Sequence, residues 1–220
     1  DVRLNGNPVA TTAAGRFAIG FGRKAELSHE LVVIGPDGER IRRAIELDER
    51  DYDVQRVDGV PQETVTPDED ALERIRAEAQ RVQAARRDRS RREDFTGDWI
   101  WPVGGRVTGV YGSQRFYNGE PRQPHYGIDI AAATGTPVAS PAGGRVVLVE
   151  PDLYFSGGTL ILDHGFGVSS TFLHLSEIHV SQGDEVAQGE VLGEVGASGR
   201  ATGPHLDWRM NWGSERVDPM

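Results

Sequence analysis

Residues 1–66 alternate between apolar and polar positions in short runs separated by turn residues. A period of two is typical of a strand with one buried face, and Gly, Pro, Asn and Asp between the runs favour turns. The single histidine of this region, His29, is predicted to be a surface strand residue rather than a ligand. The pattern predicts a small antiparallel, sandwich-like module with strands near residues 2–4, 16–19, 30–34, 40–47 and 53–57.

The pattern changes to a helical period after residue 66. Thr66 can cap a helix, Pro67 suits the first helical position, and Glu69 completes a capping box. Apolar residues then recur on one helical stripe, which consists of Leu72, Ile75, Ala79 and Val82. The helix is predicted to run to about residue 92, and its arginine-rich stretch, residues 81–92, to form a solvated face.

Strand-like runs punctuated by glycine fill residues 97–220, near residues 107–111, 145–149, 159–163, 168–174, 190–195 and 205–210. About 120 residues of this texture are enough for one core. The predicted fold class is therefore mainly β. It comprises a small N-terminal module over residues 1–66, a connecting amphipathic helix over 67–96 and an antiparallel β domain over 97–220.

The composition of the chain limits its possible binding partners and its possible location in the cell. The formal net charge of −10 argues against nucleic acid as the main partner, because phosphate binding relies on clustered Lys and Arg. Cysteine is absent, so disulfides and thiolate chemistry are excluded. No run approaches the roughly 20 apolar residues of a membrane span. The chain starts without Met, which suggests a processed or trimmed fragment of an exported protein whose signal or anchor would lie upstream.

Two short motifs carry the candidate chemistry. His125 and Asp129 lie four residues apart, around Gly127, in a loop that enters a strand. His205 and Asp207 lie two apart in a predicted strand, so both side chains face the same side. His174 ends another strand and is a third candidate for the same site. This constellation is what a divalent metal site needs. Two further histidines, His164 and His179, lie in turn-like contexts and are predicted to be structural.

The order of these blocks resembles the lysostaphin-like or LytM-like metallopeptidases, family M23. The resemblance covers about residues 97–213. It rests on six blocks in order: HYGID at 125–129, GTPVASPAGG at 135–144, LDHG at 162–165, FLHLS at 172–176, VSQGDEVAQG at 180–189, and the segment from Gly199 to His205.

The resemblance implies a LytM-like domain that binds Zn²⁺ through His125 and Asp129. The third ligand of the family is the second His of an HxH motif, and Asp207 occupies that position here. His174 and His205 would flank the water at the open coordination position. The implied activity is cleavage of peptide bonds in bacterial peptidoglycan. The implied partners are stem or cross-bridge peptides and other cell-wall enzymes, in the periplasm or cell envelope.

The exchange of His for Asp at position 207 leaves two hypotheses open. Asp is a legitimate zinc ligand, although two carboxylates would cancel the charge of the cation and shift preference towards harder ions such as Mn²⁺. The first hypothesis is a metalloendopeptidase with a His125, Asp129, Asp207 triad. The second is a non-catalytic LytM-like module that binds cell wall or activates an amidase.

Overall fold

A computed structural model describes residues 1–60, 62–87 and 90–220, without the side chains of Glu63 and Thr64. The N-terminal elements are β1 Val2–Leu4, β2 Asn7–Val9, β3 Ser28–Ile34, β4 Arg40–Glu46, β5 Val54–Val57, α1 Gln62–Val65, α2 Glu69–Ala85 and a 3₁₀ turn, Asp94–Thr96. The later strands are β6 Arg106–Gly109, β7 Gln114–Tyr117, β8 Glu120–Pro121, β9 Ile128–Ala131, β10 Pro137–Ala139, β11 Gly144–Leu153, β12 Gly157–Gly165, β13 Val168–Ile178, β14 Glu185–Val186, β15 Val191–Val195, β16 His205–Trp212 and β17 Glu215–Val217.

One large sheet forms the body of the protein. Its strands run in the order β14-β11-β12-β13-β16-β9-β6, with β10, β15 and β17 attached beside this path, and each of its pairs is antiparallel. Phe172, Leu160 and Leu206 have no exposed surface and lie in the main apolar cluster, which packs against one face of this sheet. The mainly β class predicted from the sequence is confirmed.

The N-terminal region contains one four-stranded sheet, ordered β2-β1-β3-β4, within the described residues. Residues 16–19 form no strand, so the strand predicted there is wrong. His29 is also not a surface residue, because it is only 9% exposed. Its Nδ1 lies 2.8 Å from the side-chain amide of Asn5, its Nε2 lies 2.7 Å from the carbonyl of Glu26, and its ring packs on Phe21.

Helix α2 differs from its prediction at both ends and on its packed face. Asp68, rather than Thr66, is the N-cap and accepts a hydrogen bond of 2.8 Å from the Ala71 N–H. The helix ends at Ala85 instead of near residue 92, and Leu72 of the predicted stripe is exposed. The buried residue of α2 is Glu78, whose carboxylate accepts from Arg74 at 2.6 Å and from the Tyr154 N–H at 2.9 Å. Polar contacts therefore fix α2 against the turn after β11.

The N-terminal residues also complete the C-terminal region. Strand β5 pairs in parallel with β7, which in turn pairs with β8. The Arg23 N–H donates to the Tyr111 hydroxyl at 2.9 Å, and Arg50 pairs with Asp218 at 2.6 Å. The division at residues 66 and 96 remains a prediction, and these contacts join the regions on either side of it. In the part of the chain that is described, no helix is long and apolar enough to cross a bilayer.

Candidate metal centre

Two neighbouring strands of the large sheet position the candidate ligands. Strands β9 and β16 are antiparallel, and their register places Asp129 directly opposite Asp207. His125 lies in the loop before β9, and Gly127 lets that loop pass close to β16. A Cβ atom at residue 127 would lie 2.6 Å from Asp207 Oδ1 and 2.6 Å from the Trp208 carbonyl. The Gly between the two ligands of the first motif is therefore required by the close approach of the second.

Three ligand atoms converge at this point. His125 Nε2 lies 3.0 Å from Asp129 Oδ1 and 3.3 Å from Asp207 Oδ2. The three residues are 2%, 7% and 1% exposed, respectively. Ligand atoms about 2.0–2.2 Å from a tetrahedral zinc ion lie roughly 3.3–3.6 Å apart, so the distance to Asp207 equals such an edge and the distance to Asp129 is about 0.3 Å shorter.

The hydrogen bonding around the three atoms supports the same fit. Neither ring nitrogen of His125 has a hydrogen-bond partner among the described residues, and the same holds for Asp129 Oδ1. Buried polar atoms in proteins are nearly always hydrogen-bonded, so such exceptions mark a place where a ligand or ion is expected. His125, Asp129 and Asp207 therefore fit a divalent cation by donor type, spacing and unused lone pairs.

Two arginines pair with the two carboxylates from outside the cluster. Arg115 donates through Nη2 to Asp129 Oδ2, the oxygen that faces away from His125. Arg209 holds Asp207 through Nε, 2.9 Å from Oδ1, and through Nη2, 2.6 Å from Oδ2. A carboxylate oxygen can accept from an arginine and still donate a lone pair to a cation. The two arginines therefore bring positive charge to the site without taking the position of a ligand.

These neighbours set the charge states of the cluster. Burial would raise the pKa of Asp207, but the Arg209 guanidinium and His125 hold it well below its ordinary value. Burial acts in the same direction on Asp129, and His125 and Arg115 outweigh it, so that this pKa is also lowered. Burial opposes protonation of His125, yet the two carboxylates raise its pKa. Both carboxylates are thus ionised at neutral pH, as cation binding requires.

His174 and His205 lie side by side next to the carboxylates. Their ring centroids are 4.8 Å apart, and His205 Nε2 lies 3.8 Å from Asp129 Oδ1. Each Nδ1 lies 2.8 Å from a carbonyl, that of Ser198 for His174 and that of Gly203 for His205. A carbonyl can only accept, so both Nδ1 atoms carry a proton and each Nε2 is the ring nitrogen left for other partners.

The backbone of His174 is strained. The residue lies within β13, rather than at its end as predicted, and has a φ of 65°, which costs a non-glycine residue about 1–3 kcal/mol. Burial, with a contribution from the neighbouring His205, lowers the pKa of His174 to about 4. The ring is therefore neutral at physiological pH, and its Nε2 is available as an acceptor.

The cluster lies in an open groove of about 710 Å³. Gln55 of β5 forms part of its wall, and its side-chain oxygen accepts from Arg115 Nε at 3.2 Å. The guanidinium of Arg200, also in the lining, stacks on Tyr117 and on Phe155, at 4.7 and 4.4 Å from the ring centroids. The groove thus has the candidate metal ligands at its floor and aromatic and cationic side chains in its lining.

The structure brings all five predicted site residues together, while their roles remain predictions. Sequence reasoning missed Arg115, Arg209 and Gln55. Arg209 could have been found, because it lies two residues after Asp207 on the same face of a strand. The histidines predicted to be structural lie elsewhere. His164 is fully buried and bonded to the Gly143 carbonyl and the Ser170 hydroxyl, and His179 is exposed beside Glu177 and Glu194.

An antiparallel sheet with a groove over a buried His, Asp and Asp cluster defines a β protein with a candidate metal centre. The sequence pattern of Peptidase family M23 matches residues 123–219. A crystal structure of a Pseudomonas aeruginosa protein ascribed to peptidase M23 is 32% identical, with a TM-score of 0.73 over 99% of this chain and 85% of that one. The chain belongs to peptidase family M23.

Curated relatives match the C-terminal region. Peptidoglycan DD-endopeptidase ShyB of Vibrio cholerae is 37% identical over 97 residues, which make up 44% of this chain and 22% of the relative. DD-carboxypeptidase/endopeptidase Mpg of Neisseria meningitidis is 40% identical over 96 residues, with the same coverage of 44% and 22%. The match therefore spans less than a quarter of the length of either relative.

Proposed function

We propose that this protein is a metal-dependent endopeptidase that cleaves peptide bonds in bacterial peptidoglycan. His125, Asp129 and Asp207 would hold the metal ion, with Zn²⁺ preferred and Mn²⁺ as the alternative. The observation that carries the proposal is the convergence of three ligand atoms, two of them without a hydrogen-bond partner in the described residues, beside two histidines. Membership in M23 and the names of the relatives supply the substrate class and a location in the cell envelope.

When bound, the metal ion supplies a Lewis acid that polarises a carbonyl and acidifies water. Arg115 and Arg209 support this role, because each offsets the charge of one ligand carboxylate. Without them, two carboxylates would neutralise a divalent cation completely. Arg115 and Arg209 would therefore leave the bound cation enough positive charge to polarise the oxygen of a substrate carbonyl.

His174 and His205 would move protons. Each ring is oriented by its Nδ1–H, which donates to a backbone carbonyl, so each Nε2 is the atom that can exchange a proton in the groove. One ring would accept a proton from the attacking water at Nε2. The other, once protonated, would donate to the developing oxyanion of the substrate. The extended groove would position the peptide by its wall, with Gln55 and Tyr117 on one side.

Metal content and peptidoglycan digestion together test this proposal. Purified protein reconstituted with Zn²⁺ should contain one ion per chain, and His125→Ala should contain none. Wild type should release soluble peptide fragments from sacculi, as detected by mass spectrometry. His174→Ala should keep its zinc and lose activity by about 10²–10⁴-fold. The matched control is Arg145→Ala, at an exposed residue outside the groove, and it should behave as wild type.

The second candidate is the non-catalytic module that binds cell wall or activates an amidase. It is favoured by the two-nitrogen contact of Arg209 with Asp207, which stabilises that carboxylate in the absence of a metal ion. This candidate predicts substoichiometric zinc, equal activity of wild type and His174→Ala at background level, and retention on insoluble peptidoglycan. That combination of results would replace the endopeptidase with the binding module.

A further inference from the structure

A second cavity, of about 780 Å³, lies between the last turns of α2 and the β16–β17 hairpin. Its described lining contains the arginines Arg86, Arg87 and Arg216, the amides of Gln80, Gln83 and Asn211, and no Asp or Glu. This composition is unusual for a chain with 34 acidic residues against 24 basic ones. The cavity is therefore a cationic pocket in an anionic protein.

The two arginines at the inner end lack an acidic partner among the described residues. Arg86 donates through Nη2 to the Thr171 hydroxyl at 3.2 Å, while its Nε is buried and has no hydrogen-bond partner in the described chain. Arg216 donates through Nη1 to the side-chain oxygen of Asn211 at 3.1 Å. Both partners are neutral, so no described carboxylate offsets the charge of either guanidinium, and the Nε of Arg86 is an unused donor. The prediction that residues 81–92 form a solvated face is wrong for Arg86.

Burial and neighbouring positive charges destabilise the charged forms of Arg86 and Arg216. Burial lowers the pKa of Arg86 to about 8, with repulsion from Arg216 and Arg209 as the further cause. Burial and repulsion from Arg209 lower the pKa of Arg216 to about 10. Desolvated like charges destabilise a fold unless an anion offsets them. An oxyanion in the pocket would pair with both guanidinium groups and reach the unpartnered Nε.

We propose that this cavity binds an oxyanion through Arg86 and Arg216, with Asn211 as an orienting group. The site is distinct from the metal centre, since Asn211 lies four residues from Asp207 along β16, roughly 14 Å away at the rise of a strand. The oxyanion is either a small free ion such as phosphate or a carboxylate of a stem peptide. The second source rests on the proposed function, whereas the first does not.

Thermal unfolding of chelator-treated protein tests the site independently of catalysis. At constant ionic strength, replacing chloride by phosphate should raise the melting temperature of wild type. The apparent Kd for phosphate should rise at least about tenfold in Arg86→Met and in Arg216→Gln, because each loses a charged donor. Arg81→Gln is the matched control, since Arg81 lies on the same helix but pairs with Glu150 outside the cavity. It should bind phosphate as wild type does.

Arg86→Met gives a second readout that a structural role would not give. Removing an unpaired buried charge should leave the melting temperature without anion equal to or above that of wild type, while the phosphate response is lost. No phosphate response in wild type, an equal response in the variants, or an unliganded Arg86→Met that melts lower would each overturn the proposal.

Synthetic stem peptides, with free or amidated carboxylates, distinguish the two sources. A response to phosphate and to the free-acid peptide, lost on amidation, assigns the site to the substrate. A response to phosphate alone assigns it to a small ion. Both results support an oxyanion site. Because the protein is metal-free in these measurements, failure of the endopeptidase proposal would leave them unchanged.

Discussion

The pairing of Asp207 with Arg209 makes a quantitative prediction for the metal-free protein. Asp207 is 1% exposed, and its carboxylate accepts from Arg209 at 2.9 and 2.6 Å. Arg209→Met keeps an unbranched side chain of similar reach and removes the charge. Because removing one member of a buried ion pair leaves the other uncompensated, the expected loss is about 3–5 kcal/mol in the free energy of unfolding. The Arg209 side chain is 24% exposed, which favours the lower end of this range.

The assay is thermal unfolding of chelator-treated wild type and variant. A loss of about 3 kcal/mol corresponds to roughly 6–12 °C in melting temperature for a domain of this size. Arg145→Met, at an exposed arginine of β11, is the matched control and should change stability by less than about 0.5 kcal/mol. Adding Asp207→Asn to Arg209→Met should recover most of the loss, because it removes the stranded charge.

Acid and zinc give two further signatures. Folding lowers the pKa of Asp207 below its value in the unfolded chain, near 3.8. The ion pair with Arg209 therefore stabilises the folded protein above about pH 3.8, and this contribution is lost as the pH falls further. The difference between Arg209→Met and wild type should therefore shrink below about pH 4. Zinc should stabilise the variant less than wild type, because a ligand carboxylate that has lost its hydrogen-bond partner binds a cation more weakly. A loss below about 1 kcal/mol, with no relief from Asp207→Asn, would refute the reasoning.

Three other perturbations follow from the contacts. Arg115→Met should weaken zinc binding by about 10–100-fold in a competition titration, with no change in stoichiometry, because it removes a partner of a ligand carboxylate. Burial lowers the pKa of His164, so folding disfavours its protonation and stability falls as the pH drops below about 6.5. His164→Gln should flatten this slope, measured by urea unfolding between pH 7 and 4, by up to about 1.4 kcal/mol per pH unit. Glu78→Ala should cost about 1–3 kcal/mol and Glu73→Ala, at an exposed position of the same helix, almost nothing.

The N-terminal strands could be predicted wherever the alternation of apolar and polar residues reflects the pairing of the strand. The alternation of apolar and polar residues predicted the ends of β1, β3, β4 and β5 to within two residues. Each of these strands pairs with a neighbour, so its alternate side chains face opposite sides of a sheet. The same rule failed for residues 16–19. This stretch is followed by Gly20, where a Cβ would meet Trp212 and Val217, and by Arg23, which bonds to Tyr111. Its conformation is set by the C-terminal region, which local pattern cannot show.

The buried face of helix α2 could not be predicted from local sequence either. A stripe of apolar residues predicts the buried face only if an apolar surface lies opposite. In the turn after β11, the Tyr154 N–H instead donates a hydrogen bond to Glu78. Glu78 is therefore the buried residue of this face, and Leu72 is exposed. Arg86 is a second case, because its burial depends on Thr171, 85 residues later.

For the candidate site, sequence spacing placed the ligands but not their charge environment. His125, Asp129, His205 and Asp207 lie in two short motifs, so local geometry constrains each pair. The contact of Arg115 with Asp129 could not be predicted, because it depends on tertiary structure. Arg115 lies on β7, which pairs with β5, and its Nε donates to Gln55 of β5. Residues of the N-terminal region thus act on a predicted ligand through one intermediate side chain.

The two arginines change the meaning of Asp207. Considered alone, two carboxylates and a divalent cation sum to zero, which argues for a weakly acidifying metal. Arg115 and Arg209 add two positive charges within hydrogen-bond distance, so a divalent cation held by the two carboxylates would, with both arginines, sum to +2. A site of one Asp and two neutral His, with Arg115 on that Asp, would also sum to +2. Arg209 offsets the charge of Asp207, so Asp207 and Arg209 together leave the summed charge the same as a neutral His at position 207 would. A cation at this site would therefore keep its positive charge with an oxygen ligand in place of a nitrogen ligand.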